Sequence, residues 1–311
     1  MRAGGLPARS KESGSQLKSL VARWLMLSVV AASLAVFLVA RSIGGNLELT
    51  VLVSTVATFV LGAILERTMP FDRRWNVSRA DIGTDLVSAA FLIGVFDPLF
   101  KYAGPIAVVA IYGIVSPGGV LAIFPTDAPF AVQLVLATAL IELGRYWAHR
   151  WHHGSRRLWW LHALHHGSER LYSLNNFRFH PLNYAVNFLV GVFPLMLIGV
   201  PGDVLLGYLA LSQPVLMLQH ANIDLRSGWL NYVFSTNEVH RWHHSGVAEE
   251  ANRNYGSAFI VWDIVFGTFK YESDINDPGR IGLFSQNGHY PADKGYLAQL
   301  LSVFSPQCCK A

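Results

Sequence analysis

The sequence predicts an all-α fold, a polytopic bundle of helices built for a membrane. Two observations carry this. Only 14% of the residues are charged and 52% are hydrophobic, whereas a soluble domain carries about 25% charged residues. The apolar residues also gather into runs near the length that crosses a bilayer as a helix, roughly 20 residues. A third observation sets the chain apart from a simple anchor: eleven of its twelve histidines lie between positions 149 and 244.

In chain order, residues 1–23 form a polar tail. "WLMLSVVAASLAVFLVA" (24–40) and "LTVLVSTVATFVLGAIL" (49–65) predict a transmembrane hairpin over 24–66. About 20 polar residues precede the first run, so it does not read as a cleavable signal peptide. Residues 82–115 are apolar but interrupted by Asp97-Pro98 and Gly104-Pro105, which predicts one crossing plus an interfacial or re-entrant segment. "APFAVQLVLATALIELGRYWAH" (128–149) is the third strong run. "AVNFLVGVFPLMLIGV" (185–200) and "VLLGYLALSQPVLML" (204–218) form a close pair around Pro201-Gly202-Asp203. The expectation is about four to six spans. Asp81 and Asp85 read as helix-start residues. Residues 276–311 read as a C-terminal tail, and the C-terminal segment is expected to cap the histidine site; the ending, "CCKA", lacks the aliphatic residue of a prenylation box, holds both cysteines, Cys308 and Cys309, and reads as exposed. There is no internal repeat and no low-complexity tract.

The net charge of +4 is explained by where the basic residues stand. Arg2, Arg9, Lys11, Lys18 and Arg23 precede the first run; Arg67, Arg73, Arg74 and Arg79 follow the second; Arg145, Arg150, Arg156 and Arg157 cluster at the end of the third. The loops 42–48 and 201–203 carry no Lys or Arg. Basic residues mark the cytoplasmic side, which puts the N-terminus, residues 66–81 and residues 150–180 there. The same placement removes the nucleic-acid reading of a basic chain.

His149 and His153 are spaced i, i+4. His162 and His166 repeat this, with His165 between them, and so do His240 and His244, with His243. On a helix such residues share a face, about 5–6 Å apart at Cβ, which suits imidazoles converging on a metal. His220 ends the last apolar run, which returns to the cytoplasmic side, so all the clusters meet at one membrane surface. Imidazole suits zinc, copper, iron and nickel. No HExxH is present, against a zinc protease. No cysteine lies near, and the nearby carboxylates are few: Glu142, Glu169, Glu238, Glu249 and Glu250. A carboxylate-rich di-iron bundle is therefore excluded, and a histidine-rich di-metal site, of which a di-iron centre is the better fit, remains. His152, the extra member of "HRWHH", falls off the metal face and is expected near lipid headgroups. Glu142 is an acid within an apolar run, a functional candidate by default that could hold an imidazole N–H. Asn254, Tyr255 and Asp263 are candidates for holding imidazole N–H groups. Trp147, Trp151, Trp159, Trp160, Trp262, Phe266 and Phe269 read as interfacial or packing aromatics.

"HRWHH" (149–153), "HALHH" (162–166) and "HRWHH" (240–244), followed by "NRNYGSAFIVWDIVFGTF" (252–269), resemble the fatty acid hydroxylase / sterol desaturase superfamily of integral membrane di-iron enzymes. "LERTMPF" (65–71) and "FRFHPLN" (177–183) are similar to it too. The resemblance covers roughly residues 60–270 and makes 67–275 the catalytic domain. It implies two iron ions, O2 as co-substrate, and insertion of oxygen into an unactivated C–H bond of a lipid, with desaturation of a sterol-like ring as the alternative. Position by position it implies His149, His153, His162, His165, His166, His240, His243 and His244 as ligands, His220 in "LQHANI" as a further one, and His180 as a histidine of the sterol-modifying branches. Some members carry another histidine four residues before the His220 position; here it is Leu216.

Electrons must come from outside. The chain has no GxGxxG, and "HPLN" (180–183) lacks the glycines of a cytochrome b5 fold. A separate ferredoxin or cytochrome b5-like protein is expected, docked on the basic face. Rivals of another class are a metal transporter, which wants ligands in mid-membrane, and a membrane zinc hydrolase, which wants a general base beside an open site.

Overall fold

The computed structural model describes residues 9–115, 123–272, 278–284, 289–306 and 308–309, with side chains from residue 16 onward. Among them every regular element is helical; strand-like pairing is limited to two isolated bridges, Phe234 with Phe259 and Ser245 with Ile281. Helix α1 (Arg9–Ser42) turns through Gly44, at φ 68°, into α2 (Leu47–Thr68). Asn46 caps α2 by accepting from the Leu49 N–H at 2.9 Å. These two helices, with α5 (Phe130–Gly154) and α9 (Gly202–Gln219), make the bundle. Leu25, Met26 and Val30 of α1 pack on Val215 and Leu218 of α9. Leu134, Ala137 and Ile141 of α5 pack on Val204 and Tyr208 of α9.

The interrupted segment behaves differently from the sequence expectation. Helix α3 (Ile82–Phe91), a π-helical turn (Leu92–Phe96) and α4 (Asp97–Val115) form one continuous helical stretch of 34 residues. Pro98 follows the π turn and its cap Asp97, whose N–H bonds the Leu92 carbonyl, and Pro105 stands inside α4. The π turn absorbs the change of register before Pro98. Three described segments are long and apolar enough to cross a membrane: Gln16–Ser42, Leu47–Thr68 and Ile82–Val115. They present Val53, Val56, Val60, Ile64, Ile106 and Val109 outward, an apolar surface of the kind water does not tolerate at this extent. Helices α5 and α9 do not join this set, so three segments stand where four to six were expected. The reason is polar content: α5 carries Glu142, Arg145 and three histidines in its second half, and α9 carries Asp203, Gln213 and Gln219.

The ends of these helices gather at one pole. The Arg226 N–H bonds to the Ala22 carbonyl of α1 at 2.8 Å. At the end of α2, the buried Glu66 accepts from the backbone N–H groups of Ser173 (2.5 Å) and Asn222 (3.0 Å). At the start of α3, Asp81 and Asp85 do more than begin a helix. Neither caps it with its side chain. Asp81 takes Arg170 at 2.6 and 2.8 Å, and Asp85 takes Arg178 at 3.0 Å, both pairs buried. Tyr172 and Asn175 also donate to Asp85. The loop after α6 (Arg156–His166) is thereby tied to α3.

The remaining elements are short: α7 (Pro181–Asn187), a second π turn (Phe188–Val192), α8 (Phe193–Leu197), α10 (Asn237–His243), α11 (Ala248–Ala251), α12 (Val261–Val265) and α13 (Tyr296–Leu301). The described part of 276–311 is not an exposed tail. Tyr290 and Tyr296 pack with Trp159 and Trp160 of α6 in one buried cluster, and the Trp160 indole donates to Ser302 Oγ at 2.9 Å.

Candidate metal centre

The last turns of α5 carry His149 and His153. One residue separates this helix from α6, which carries His162, His165 and His166. His220 closes α9 as its C-cap, α10 carries His240 and His243, and His244 closes α10. The structure brings nine of the ten expected ligands into two groups. His149, His153, His162, His166 and His243 form one; His165, His220, His240 and His244 form the other. Within each, one nitrogen per residue lies within 4.8 Å of all the others.

The second group is the tighter. Its Nε2 atoms sit 3.2 Å (His220–His165), 3.1 Å (His220–His244), 3.0 Å (His240–His220) and 3.1 Å (His244–His240) apart. In the first group His149 Nε2 is 3.0 Å from His162 Nε2. Ligand nitrogens bonded at about 2.1 Å to one ion, at right angles, stand about 3 Å apart.

What the opposite ring nitrogens do decides how these contacts are read. Nδ1 of His149 donates to the Tyr255 carbonyl (2.8 Å), of His165 to the Arg178 carbonyl (3.2 Å) and of His243 to the Arg253 carbonyl (2.9 Å). Nδ1 of His153 donates to Asn252 Oδ1 (3.0 Å) and of His162 to Asn183 Oδ1 (2.7 Å). An imidazole that donates from Nδ1 carries a bare lone pair on Nε2. The His149–His162 contact therefore sets two lone pairs face to face with no proton between them. Nε2 of His153 and His243, and both nitrogens of His166, are buried without any partner. A cation between them removes both the repulsion and the unmet polarity, so the donor set fits a metal.

Protonation is not an alternative. Burial first, and the neighbouring histidines second, push His162, His165, His166, His240 and His244 well below the ordinary imidazole range. Burial lowers His243 to about 4. At neutral pH the rings are uncharged, the form that binds metal.

The loop after α10 supplies two of the acceptors. Asn254 adopts φ 55°, a left-handed conformation that Asn tolerates better than most residues. Its side chain bonds the Val239 carbonyl (3.0 Å), the Lys270 carbonyl (2.7 Å) and the Lys270 N–H (2.8 Å). That bend lets the carbonyls on either side, Arg253 and Tyr255, reach His243 and His149. Asp263 accepts from the N–H groups of Tyr255 (2.7 Å) and Gly256 (2.6 Å) and from Thr268 Oγ1 (2.7 Å); burial raises its carboxyl to about 6. Glu142 accepts from Tyr208 Oη (2.6 Å) and from the N–H groups of Ala258 (3.1 Å) and Phe259 (3.0 Å). Of the four residues expected to hold imidazoles, Tyr255 alone does so, and through its backbone. Asn254, Asp263 and Glu142 hold the loop instead.

Two histidines stand apart. His180 belongs to neither group: it is the N-cap of α7, extended before Pro181, and its Nδ1 accepts from the Leu182 N–H at 3.1 Å. His152 is also outside both groups, but it does not face headgroups. It is fully buried, and its Nδ1 donates to the Ala148 carbonyl at 2.6 Å. The imidazole partners Asn183 and Asn252 went unseen as such in the sequence, although each lies inside a quoted motif.

A family model described as fatty acid hydroxylase matches residues 134–268, the stretch that holds every histidine of both groups. The ornithine lipid hydroxylase OlsE of Rhizobium tropici is 32% identical over 266 residues, covering 80% of this chain and 74% of the relative. The alkylglycerol monooxygenase of Caenorhabditis elegans is 26% identical over 208 residues, 63% of this chain and 38% of the relative. The human alkylglycerol monooxygenase is 28% identical over 134 residues, 43% and 30%. No solved structure gives a significant match. With its histidine pattern, its buried imidazole cluster and a relative matched along most of both chains, this protein belongs to the fatty acid hydroxylase / sterol desaturase superfamily, a family of oxidoreductases that includes lipid hydroxylases.

Proposed function

We propose that this protein is an O2-dependent di-iron enzyme that hydroxylates an unactivated C–H bond of a polar membrane lipid, with ornithine-containing lipids the first substrates to test. The observation that carries the reading is the pair of histidine groups, in which five Nδ1 atoms are held by acceptors while the Nε2 atoms converge. His149, His153, His162, His166 and His243 hold one iron; His165, His220, His240 and His244 hold the other. The iron pair supplies O2 activation and C–H hydroxylation when bound. The chain's own part is to keep the imidazoles neutral, aimed and dry. The acceptor oxygens fix the tautomers of His149, His153, His162, His165 and His243, and the burial of His162, His165, His166, His240, His243 and His244 excludes water from the reacting side. The choice of ornithine lipids rests on the 32% identity to the ornithine lipid hydroxylase.

A transporter would spread its ligands through mid-membrane; here they crowd one pole of the bundle. The basic segments near that pole make it the cytoplasmic side and the docking face for a separate ferredoxin or cytochrome b5-like electron donor. The test combines metal analysis after anaerobic purification with lipid mass spectrometry of cells with and without the gene. Two irons per chain and a lipid class gaining one oxygen are expected. One metal per active chain, or a lipid losing two hydrogens instead, overturns the di-iron or the hydroxylase assignment respectively.

A further inference from the structure

Arg145 lies on α5 one turn before His149, on the same helical face. The sequence pattern counts it among the basic residues of a membrane surface, yet its side chain runs into the bundle. Its stem crosses Gly191 in the second π turn, where an added Cβ would sit 2.8 Å from Arg145 Cγ and 3.6 Å from its Nε. The guanidinium lies over the Tyr208 ring, 5.4 Å from the centroid. Nη1 reaches Ser257 Oγ at 3.4 Å, its one hydrogen bond among the described residues, and Nε is closed to solvent with no partner.

The two buried arginines of the loop after α6 are placed differently. Arg170 and Arg178 are each matched to their own aspartate, Asp81 and Asp85. Arg145 has no carboxylate within 4.0 Å among the described residues. The acid nearest in sequence, Glu142, already accepts from Tyr208, Ala258 and Phe259. Glu142 compensates the half-buried guanidinium only from a distance; N–H donors left unused among apolar helices are costly, and such a charge marks a functional site by default. The backbone makes room for it. At Gly144 the π turn presses so close that a Cβ would fall 2.3 Å from the Val190 carbonyl oxygen. One residue on, Gly191 opens the gap through which Arg145 passes. π turns concentrate at functional sites.

We propose that Arg145 binds an oxyanion of the lipid substrate, a carboxylate or a phosphate, and so selects lipids whose anionic group lies close to the carbon that is oxidised; this rests on the lipid-hydroxylase reading above. Ser257, which Arg145 touches, is two residues from Tyr255, whose carbonyl holds His149. Arg145 and His149 are also i, i+4 neighbours on α5, their Cβ atoms about 5–6 Å apart, so a bound anion shares the neighbourhood of the histidine centre. The oxidised carbon then belongs to the headgroup or the proximal part of a chain, not to its methyl end. The guanidinium fork suits either oxyanion, in two parallel hydrogen bonds.

The test is equilibrium binding of radiolabelled probes to the full-length, metal-loaded protein in detergent. The probes are N-hexadecanoylglycine against its carboxamide, and hexadecyl phosphate against hexadecanol. The wild type is expected to bind at least one anion about tenfold more tightly than its neutral counterpart, and the preferred pair separates carboxylate from phosphate. Arg145→Gln removes the preference without changing metal content or affinity for the neutral probe; Arg145→Lys keeps part of it. A wild type that does not discriminate, or an Arg145→Gln protein that still does with its metal intact, overturns the proposal. Should Arg145→Gln lose its metal, Arg145→Lys decides: discrimination kept supports the proposal, discrimination lost with metal retained overturns it. Binding needs no turnover. A chain that discriminates anions but never hydroxylates a lipid therefore refutes the function and spares Arg145, and the reverse result does the opposite.

Discussion

The chain writes "HRWHH" twice, at 149–153 and at 240–244, and the two copies do different things. In both, the i, i+4 pair serves one group: His149 with His153, and His240 with His244. The middle histidines part ways. His243 crosses to the first group, while His152 turns back onto its own helix and bonds the Ala148 carbonyl. The local spacing is identical, so the difference comes from what surrounds each helix. Helix α10 is wedged between the two groups and has a histidine partner on both flanks. Helix α5 supplies histidines to the first alone. A residue 60° round the wheel from a ligand therefore meets another imidazole cluster in one copy and a backbone carbonyl in the other.

The largest effects should come from breaking the shared pattern. His153→Ala and His243→Ala each remove a nitrogen of the first group that no neighbour replaces. Activity should fall to background and metal per chain should drop, read by metal analysis of anaerobically purified protein. If His243→Ala keeps both metal and activity, the crossing of α10 between the groups is wrong.

Next in size are the acceptors that aim the rings. Asn183→Leu takes the oxygen from His162 Nδ1 and Asn252→Leu takes it from His153 Nδ1. Each should cost about 10–100-fold in metal affinity or activity while the protein stays folded. A titration with Fe2+ under argon checks this, and unchanged affinity in both would mean the tautomers are set some other way.

The supporting ion pairs sharpen the comparison from the stability side. Arg178→Met leaves Asp85 buried beside Tyr172 and Asn175 without its cation, a loss of about 3–5 kcal/mol. Because the Arg178 carbonyl also holds His165, thermal unfolding and metal loss should shift together. A variant that melts early yet binds metal normally would uncouple the loop from the second group.

The smallest effect is expected at His152. His152→Ala should keep metal and most activity, and lower stability by about 1–2 kcal/mol for the lost bond and packing. Loss of metal equal to that of His153→Ala would move His152 into the centre and overturn the contrast between the two copies.

Much of this was readable from the residues alone. Apolar runs and the shortage of charge predict helices in a membrane because hydrophobic length is a local property. The i, i+4 spacing predicts shared faces because helix geometry is local too, and so eight histidines could be grouped before any fold was known, His220 joining them through the family resemblance. Other features depend on neighbours distant in sequence. Asp97-Pro98 looked like a break, but the π turn just before it carries the helix through. Residues 276–311 looked like a tail, but Tyr290 and Tyr296 pack on the apolar face of α6. Asp81 and Asp85 looked like helix starters, and Arg145 like a surface charge; what each meets is fixed by helices packed across from it. Spacing could not decide between His152 and His243, or reveal that Asn183 and Asn252 aim the rings, because a side chain's partner is set by which elements pack together, and that is decided only when the whole chain is folded.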